Sequence, residues 1–417
     1  MKKFTVLLVL VSLLFSFIGC SEKGEESRQA ASEGNSMPAK SDVIEIYTEE
    51  QLFLIGDNLS GNYLLKNDIT LTKKWKTVGD SENAFEGIFD GNGHTVYNME
   101  VVSDIVGIDG TSVEYMVGMF GVLKGTVKNL NIDTLSVKLD SAAITNTEYL
   151  SLKSNNPDLS DFDIHVGLAG LNKGNIRNVS IKVDYNVIPE CEGARIRIGG
   201  IAGKSNDEIS DCRVNGKIRV QNLDGYVRAG GIAGYVSSNG EISNSEADID
   251  ILAEITKAAK MNLGGLVGNL HCGIISKCVA KGTVKGVNTE EKATLCGGLI
   301  GVIDNCDRKY DDMSATVEGC CSSVDVISKG GKGYAAGFIG QIDFADKITL
   351  TDNLCLGSAD GQKSSFGFLG RIQDVENTKL GISDFSDGNY NDIIVIKNNK
   401  SINADVFAQQ ADDTVFP

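Results

Sequence analysis

A five-residue string, Gly264-Gly265-Leu266-Val267-Gly268, constrains this chain more than any other feature, because shortened copies of it recur along most of the length. They read Gly118-Met119-Phe120-Gly121, Gly167-Leu168-Ala169-Gly170, Gly200-Ile201-Ala202-Gly203 and Gly231-Ile232-Ala233-Gly234, then Gly298-Leu299-Ile300-Gly301, Gly337-Phe338-Ile339-Gly340 and Gly367-Phe368-Leu369-Gly370. Successive copies are 49, 33, 31, 34, 33, 39 and 30 residues apart. A period near 33 in eight copies defines a repeat architecture, which grows by adding units rather than domains.

Each string is followed by a turn and then a strand-like segment, and aligning the copies produces rows. One row holds Val127, Ile176, Ile209, Ile242, Ile275 and Val317. Two further inward rows hold Leu130, Val179, Cys212, Ser245, Cys278, Cys320 and Ile132, Ile181, Val214, Ala247, Ala280, Ser322. The rows beside the last of these are mixed: Asn131, Ser180, Arg213, Glu246, Val279, Cys321, then Asp133, Lys182, Asn215, Asp248, Lys281, Ser323. Small or apolar rows alternating with polar ones are the period-2 mark of strands with one buried face. With no helical segment between copies, equivalent rows meet only if each copy lies over the last at about 4.8 Å. Glycine allows bends and close backbone approach, and Asn129, Asn178, Asp211 and Asn244 mark a corner in left-handed geometry. The expected fold is all-β, a right-handed parallel β-helix (β-solenoid).

The N-terminal part prepares that coil. Val43 to Ile46 reads as a strand, Thr48-Glu49-Glu50-Gln51 has capping-box spacing, and Leu52, Ile55 and Leu59 follow at helical intervals before Gly61. Strand patterns follow at Tyr63–Lys66 and Ile69–Thr72, and the helix is expected to cap the open end of the stack. The organisation is thus residues 1–19 signal peptide, 20–42 flexible acidic tether, 43–105 cap and first coil, 106–380 repeats, and 381–417 C-terminal cap.

Together these strings and strands resemble the GLUG-motif family of bacterial exported proteins, whose Gly-Gly-Leu-Val-Gly string precedes a strand ending in Asn-Cys. The likeness covers about Gly118 to Gly370, and Asp90-Gly91-Asn92-Gly93-His94-Thr95 is similar to the N-terminal part of such proteins. The resemblance implies a secreted or surface-attached solenoid with an adhesion-like role. Some immunoglobulin-A peptidases carry such repeats beside a zinc protease domain.

The start of the chain gives an address. Lys2 and Lys3 precede an apolar run from Phe4 to Ile18, too short to span a bilayer comfortably. Phe17-Ile18-Gly19-Cys20 resembles a lipoprotein cleavage site with Cys20 as the acylated residue; an ordinary secretory signal cut elsewhere, or a retained anchor, is the alternative. Ser21 to Asp42 is nearly devoid of apolar residues and reads as a tether reaching about 25 Å. Its acidic cluster Glu22, Glu25, Glu26 is similar to surface-export signals of Bacteroidetes lipoproteins. The expected location is the outer-membrane surface of a Gram-negative cell, with the membrane as partner through Cys20. The net charge of −17 disfavours nucleic acid as a partner.

Little in the sequence suggests catalysis. A zinc protease needs His-Glu-x-x-His, and His94, His165 and His271 have no such neighbourhood. The glycine strings lie between strands, not at one helix start, which excludes a phosphate loop. Asp90-Gly91-Asn92-Gly93-His94 lacks the later Gly and Glu of a calcium loop and reads as a turn, as does Asp387-Gly388-Asn389. A polysaccharide lyase or hydrolase would show carboxylates in one row of neighbouring coils, and the row from Asp133 to Ser323 has none adjacent. No catalytic residue, metal or cofactor is expected. Nine cysteines remain after Cys20; buried thiols are the expectation, Cys272 and Cys306 fall in turns, and Cys321 with Cys355 is the best disulfide candidate.

Two readings stay open: a non-catalytic surface lipoprotein binding host matrix, glycans or cell-surface components, and a carbohydrate-active enzyme. The long step from Gly118 to Gly167 places an insertion between Val137 and Val166, a candidate binding loop containing Tyr149, Asn155, Asp158 and Phe162.

Overall fold

The computed structural model describes residues 42–402, apart from 104–105, 110–111, 140–157, 159–160, 190–192, 223–224, 238–239, 258–259, 291, 305–313, 344–346, 374–387 and 391–393. The signal segment, Cys20 and nearly all of the tether lie outside these residues. So do Tyr149 and Asn155.

The described chain is almost wholly β, with a single α-helix at Glu49–Phe53 that continues as a 3₁₀ turn over Leu54–Asp57. Thr48 caps it as its spacing predicts: the Gln51 amide donates to the Thr48 hydroxyl, and the Gln51 side-chain oxygen accepts from the Thr48 amide. Leu52 and Ile55 are buried against the first strands, and Phe53 stacks on Trp75 with ring centroids 5.3 Å apart.

Three sheets form the body. A nine-stranded sheet contains Ser112–Val117, Asp161–Val166, Ala194–Gly199, Tyr226–Gly230, Lys260–Gly264, Ala293–Gly297 and Lys332–Ala336. An eight-stranded sheet contains Phe120–Leu123, Ala169–Asn172, Ala202–Ser205, Ala233–Val236, Val267–Leu270 and Ile300–Ile303. The largest holds the long strands Thr126–Leu139, Asn175–Val187, Arg213–Asn222, Glu246–Ile255, Val279–Asn288 and Cys321–Lys329. In each repeat the chain passes through the nine-stranded, the eight-stranded and then the large sheet, and pairs in parallel with the same element one repeat later.

The aligned rows are register partners. Val127 pairs with Ile176, Ile176 with Ile209, Ile209 with Ile242, Ile242 with Ile275 and Ile275 with Val317, all fully buried. The row from Ile132 to Ser322 stacks likewise. The outward row departs at its first member. A bulge between Ile132 and Leu135 sets Asp133 and Thr134 against Lys182 alone, so Asp133 does not stand in simple register with the later members.

The expected corner is present, with φ of 54° at Asn129, 53° at Asn178, 54° at Asp211 and 47° at Asn244, and it continues through Lys277, Asp352 and Asn398. Side-chain amides tie it together: Asn178 donates to Asn129 at 2.8 Å, and Asn129 to Asp90 at 3.0 Å. Asn92 and Gly93 also take positive φ, as a tight turn requires.

At the glycine string itself the coils approach too closely for a side chain. The Gly231 amide donates to the Gly265 carbonyl, and the Gly265 amide to the Gly298 carbonyl. A Cβ at Gly265 would sit 2.3 Å from the Gly298 oxygen, and one at Gly298 would sit 2.0 Å from that of Gly337. The repeated Gly is therefore a column of backbone on backbone, with no room for Cβ at these levels.

Two expectations need correction. Cys321 and Cys355 are free thiols. Cys321 stands opposite Leu354, and Cys355 opposite Ser322, so the two are one residue out of register and project to opposite faces of the sheet. Cys272, by contrast, is disulfide-bonded, to a partner outside the described residues. Near the C-terminus, Gly388 and Asn389 lie in a strand antiparallel to Ile394–Lys397 rather than in a turn; Asp387 is outside the described residues.

A polar seam outside the core

The nine-stranded sheet alternates strictly. Val113, Tyr115 and Val117, then Phe162, Ile164 and Val166, join the main core. Their neighbours project the other way, toward the outer face of the eight-stranded sheet, because the short bend at the glycine string folds the two sheets sharply together. This outer seam is buried in its own right. Met116, Val122, Leu171 and Ala84 form an apolar cluster at one end, and Leu295, Val302, Tyr334, Ala336 and Phe366 another further along, both separate from the core.

Between those clusters the seam is polar. Glu114 and Asp163 are register partners, as are Asp163 and Arg195. Two residues further on, His165 pairs with Arg197 and Arg197 with Arg228. Arg195 grips Asp163 through Nε at 2.6 Å and Nη2 at 2.8 Å, and also reaches Ser112. Arg197 Nη1 lies 3.0 Å from the same carboxylate and 3.2 Å from His165 Nε2, which is itself 3.3 Å from Glu114. Glu114, Asp163 and His165 are at most 3 % exposed.

Burial favours the neutral acid at Asp163, but the Arg195 hydrogen bonds and the Arg197 charge outweigh it and bring its pKa down to about 2. At Glu114 burial is likewise overcome, chiefly by the hydrogen bond from His165, and the pKa is lowered. His165 is lowered by burial, so its ring is held neutral. A neutral Nε2 serves Glu114 as donor or Arg197 as acceptor, one at a time, and Nδ1 has no partner.

Glu114, Asp163 and His165 also form the one group of potential metal ligands among the described residues. The donor set does not suit a cation. Both Asp163 oxygens already accept from guanidinium groups, and Arg197 lies 3.2 Å from the imidazole nitrogen, so a metal would stand beside two fixed positive charges.

The seam continues as a cationic and aromatic strip. The Arg228 guanidinium lies 5.0 Å from the Tyr226 ring centroid and 5.1 Å from that of Tyr235, and Arg197 covers Tyr235 at 5.5 Å. Arg228 Nε donates to Asn269 Oδ1 at 3.3 Å, and Asn262 donates to the same oxygen at 2.7 Å. Tyr235 stacks on His271, which pairs with Asp304 at 2.9 Å.

The sequence-predicted site residues fare differently. Asp158 is an exposed turn residue, as a loop position should be. Phe162 is 3 % exposed, lies in Asp161–Val166 and pairs with Val113 and Ala194; it belongs to the core and not to a binding loop. The adjacent carboxylates sought on the large sheet occur on another face, as Glu114 and Asp163. In the sequence these seam residues stand four and two positions before Gly118, Gly167, Gly199 and Gly230: Glu114 and Met116, Asp163 and His165, Arg195 and Arg197, Tyr226 and Arg228.

No family model matches this chain, and no curated protein matches it. Among solved structures it is similar to a Bacteroides ovatus protein provisionally described as an immunoglobulin A1 protease, with 15 % identity over 80 % of this chain and 85 % of that one and a TM-score of 0.45.

Proposed function

We propose that this chain is a non-catalytic surface lipoprotein of the GLUG type: a right-handed parallel β-helix, anchored through Cys20, that binds a glycan or protein of the host or cell surface. The handedness follows the rule that parallel strands of one sheet are joined by right-handed crossovers. The observation that carries the non-catalytic reading is the state of the seam carboxylates. A glycosidase needs one carboxyl that keeps its proton near neutral pH, whereas Asp163 and Glu114 are both held ionised and almost fully enclosed. The same adjacent pair supports a second reading, a carbohydrate-active enzyme, because two acids in one row of neighbouring coils is the arrangement such chemistry uses.

Adhesive contacts are assigned to the insertion that the sequence predicts between Val137 and Val166, with Tyr149, Asn155 and Asp158 as its candidates, and to the mouth of the seam. Cells expressing the protein should lose protease-accessible surface copies on Cys20→Ser, with the protein released to the soluble fraction, and should lose attachment to their target surface with them. A Cys20→Ser protein that stays membrane-bound and uncleaved would refute the anchoring; attachment unchanged in a deletion strain would refute the binding role.

A further inference from the structure

In the polar seam one arginine lacks an ion-pair partner, and two buried donors lack an acceptor, among the described residues. Among the described residues Arg195, Arg197, Arg228 and Lys260 line the seam together with Glu114, Asp163 and Asp304, in a chain whose net charge is −17. The acids are already engaged. Asp163 is taken by Arg195 and Arg197, Glu114 by His165, and Asp304 by His271. Arg228 has no carboxylate within ion-pair distance among the described residues; its contacts are the Tyr226 and Tyr235 rings and one amide oxygen. It stands one coil from Arg197, so two guanidinium groups flank Tyr235, and Asp304, the described acid whose charge reaches both Arg228 and Tyr235, is paired with His271.

Among the described residues two buried donors nearby are left without partners, Arg197 Nε and Asn269 Nδ2, on residues 9 % and 0 % exposed, beside one unpartnered acceptor, Asn262 Oδ1. Turning the Asn269 amide does not solve the problem. Its oxygen already accepts from both Arg228 Nε and Asn262, and a flip would set NH₂ against the guanidinium. Buried donors without acceptors cost about 1–3 kcal/mol each, so a group that supplies acceptors and negative charge would relieve both deficits.

We propose that the mouth of the seam at Arg228, with Arg197, Tyr235 and Asn269 around it, binds an oxyanion carried by an acidic glycan, either a uronate carboxylate or a sulfate ester. The inference rests on the reading of this chain as a binding protein and names its ligand class. A glycan fits better than a peptide for a structural reason. The strands lining the seam pair with parallel neighbours on both sides, so no strand edge is free for a peptide to extend, and recognition must come from guanidinium, amide and phenol groups. Lys260 and Arg195, exposed and partly exposed at the same mouth, extend the positive strip along the stack.

The test is calorimetric titration of the mature full-length chain with four probes of matched length: an oligogalacturonate, a sulfated oligosaccharide, a neutral oligosaccharide and an acidic peptide. The site predicts binding of one or both acidic glycans, none of the neutral one, and weakening with added salt. The arm that binds identifies the oxyanion. R228Q should reduce affinity about tenfold or more, the scale of a charge-assisted hydrogen bond. R228K keeps the charge but loses the planar fork, so it should still weaken binding several-fold, and it covers the case in which R228Q does not fold. Neutral and acidic glycans binding alike, affinity unchanged in R228K, or binding of the acidic peptide alone would overturn the proposal. If no glycan binds while cells displaying the protein still attach to their target, the oxyanion site falls and the binding role stands; if attachment is also absent, both fall.

Discussion

Replacing Gly265 by alanine puts the stacking of coils to a quantitative test. The added Cβ would sit 2.3 Å from the Gly298 carbonyl oxygen, 2.7 Å from Val324 Cγ2 and 3.1 Å from the Ala280 Cβ. The first of these atoms is backbone, and it is the acceptor of the Gly265 amide at 3.1 Å. Relief therefore means separating the two coils at the bend, which also strains the neighbouring bond from the Leu266 amide to the Leu299 carbonyl at 2.9 Å. Two such bonds at about 1 kcal/mol each, with about 1–3 kcal/mol for overpacking, give a loss of about 3–5 kcal/mol. Gly93→Ala is the matched control. Gly93 has φ of 80°, and a Cβ added there would meet nothing within 4 Å, so only the left-handed penalty of about 1–2 kcal/mol applies. Urea unfolding followed by far-ultraviolet circular dichroism, comparing midpoints at equal slopes, should place Gly265→Ala about 2 kcal/mol below Gly93→Ala. Equal midpoints would refute the idea that the glycine column sets the coil spacing.

Acid should act through Asp163. Its folded pKa of about 2 lies below the ordinary 3.8, so its stabilisation, about 2 kcal/mol, is fully present above about pH 4 and disappears as pH falls through about 2. Arg195→Gln should move acid unfolding to higher pH in a circular-dichroism titration, and an unmoved midpoint would count against the ion-pair network. Burial pushes the Cys212 and Cys296 thiols up to about 12 and Cys355 up to about 11, and Cys278 and Cys320 are likewise enclosed, so among the described thiols an alkylating reagent should modify half-buried Cys321 first and the buried five only on unfolding, as peptide mass mapping would show. Replacing residues 140–160 with a short Gly-Ser turn should leave the melting temperature nearly unchanged and weaken attachment; a large drop in melting temperature would place that segment in the core.

The large sheet was legible in the sequence because it obeys one rule many times. Six β-branched residues from Val127 to Val317 at equivalent positions leave only one register, and Asn or Asp marks the corner at most levels, with Lys277 and Gly319 in its place at two. The seam was much harder to read. Its strands precede the glycine string, and their outward residues change from coil to coil: Glu114, Asp163, Arg195, Tyr226, Lys260. No row repeats, so alignment alone gives no reason to group them. A face that is outward yet buried also breaks the association of outward with solvated, and only the sharp fold between two sheets makes Glu114 and Asp163 an enclosed pair. Phe162 was misplaced for a related reason. The strand resumes at Asp161, one residue before it, so its apolar ring belongs to that strand rather than to the loop. The cysteine pairing failed on register, since a shift of one residue exchanges the faces of a sheet.

A binding rather than catalytic role is tested most directly by incubating the purified mature chain with neutral and acidic oligosaccharides and measuring bound ligand and product together. Product would be read as new reducing ends and as unsaturated uronate absorbance. A binding protein gives saturable binding with no product, in the native chain and in Glu114→Gln alike. Product that accumulates with protein concentration and disappears in Glu114→Gln would overturn that role and make the seam an active site.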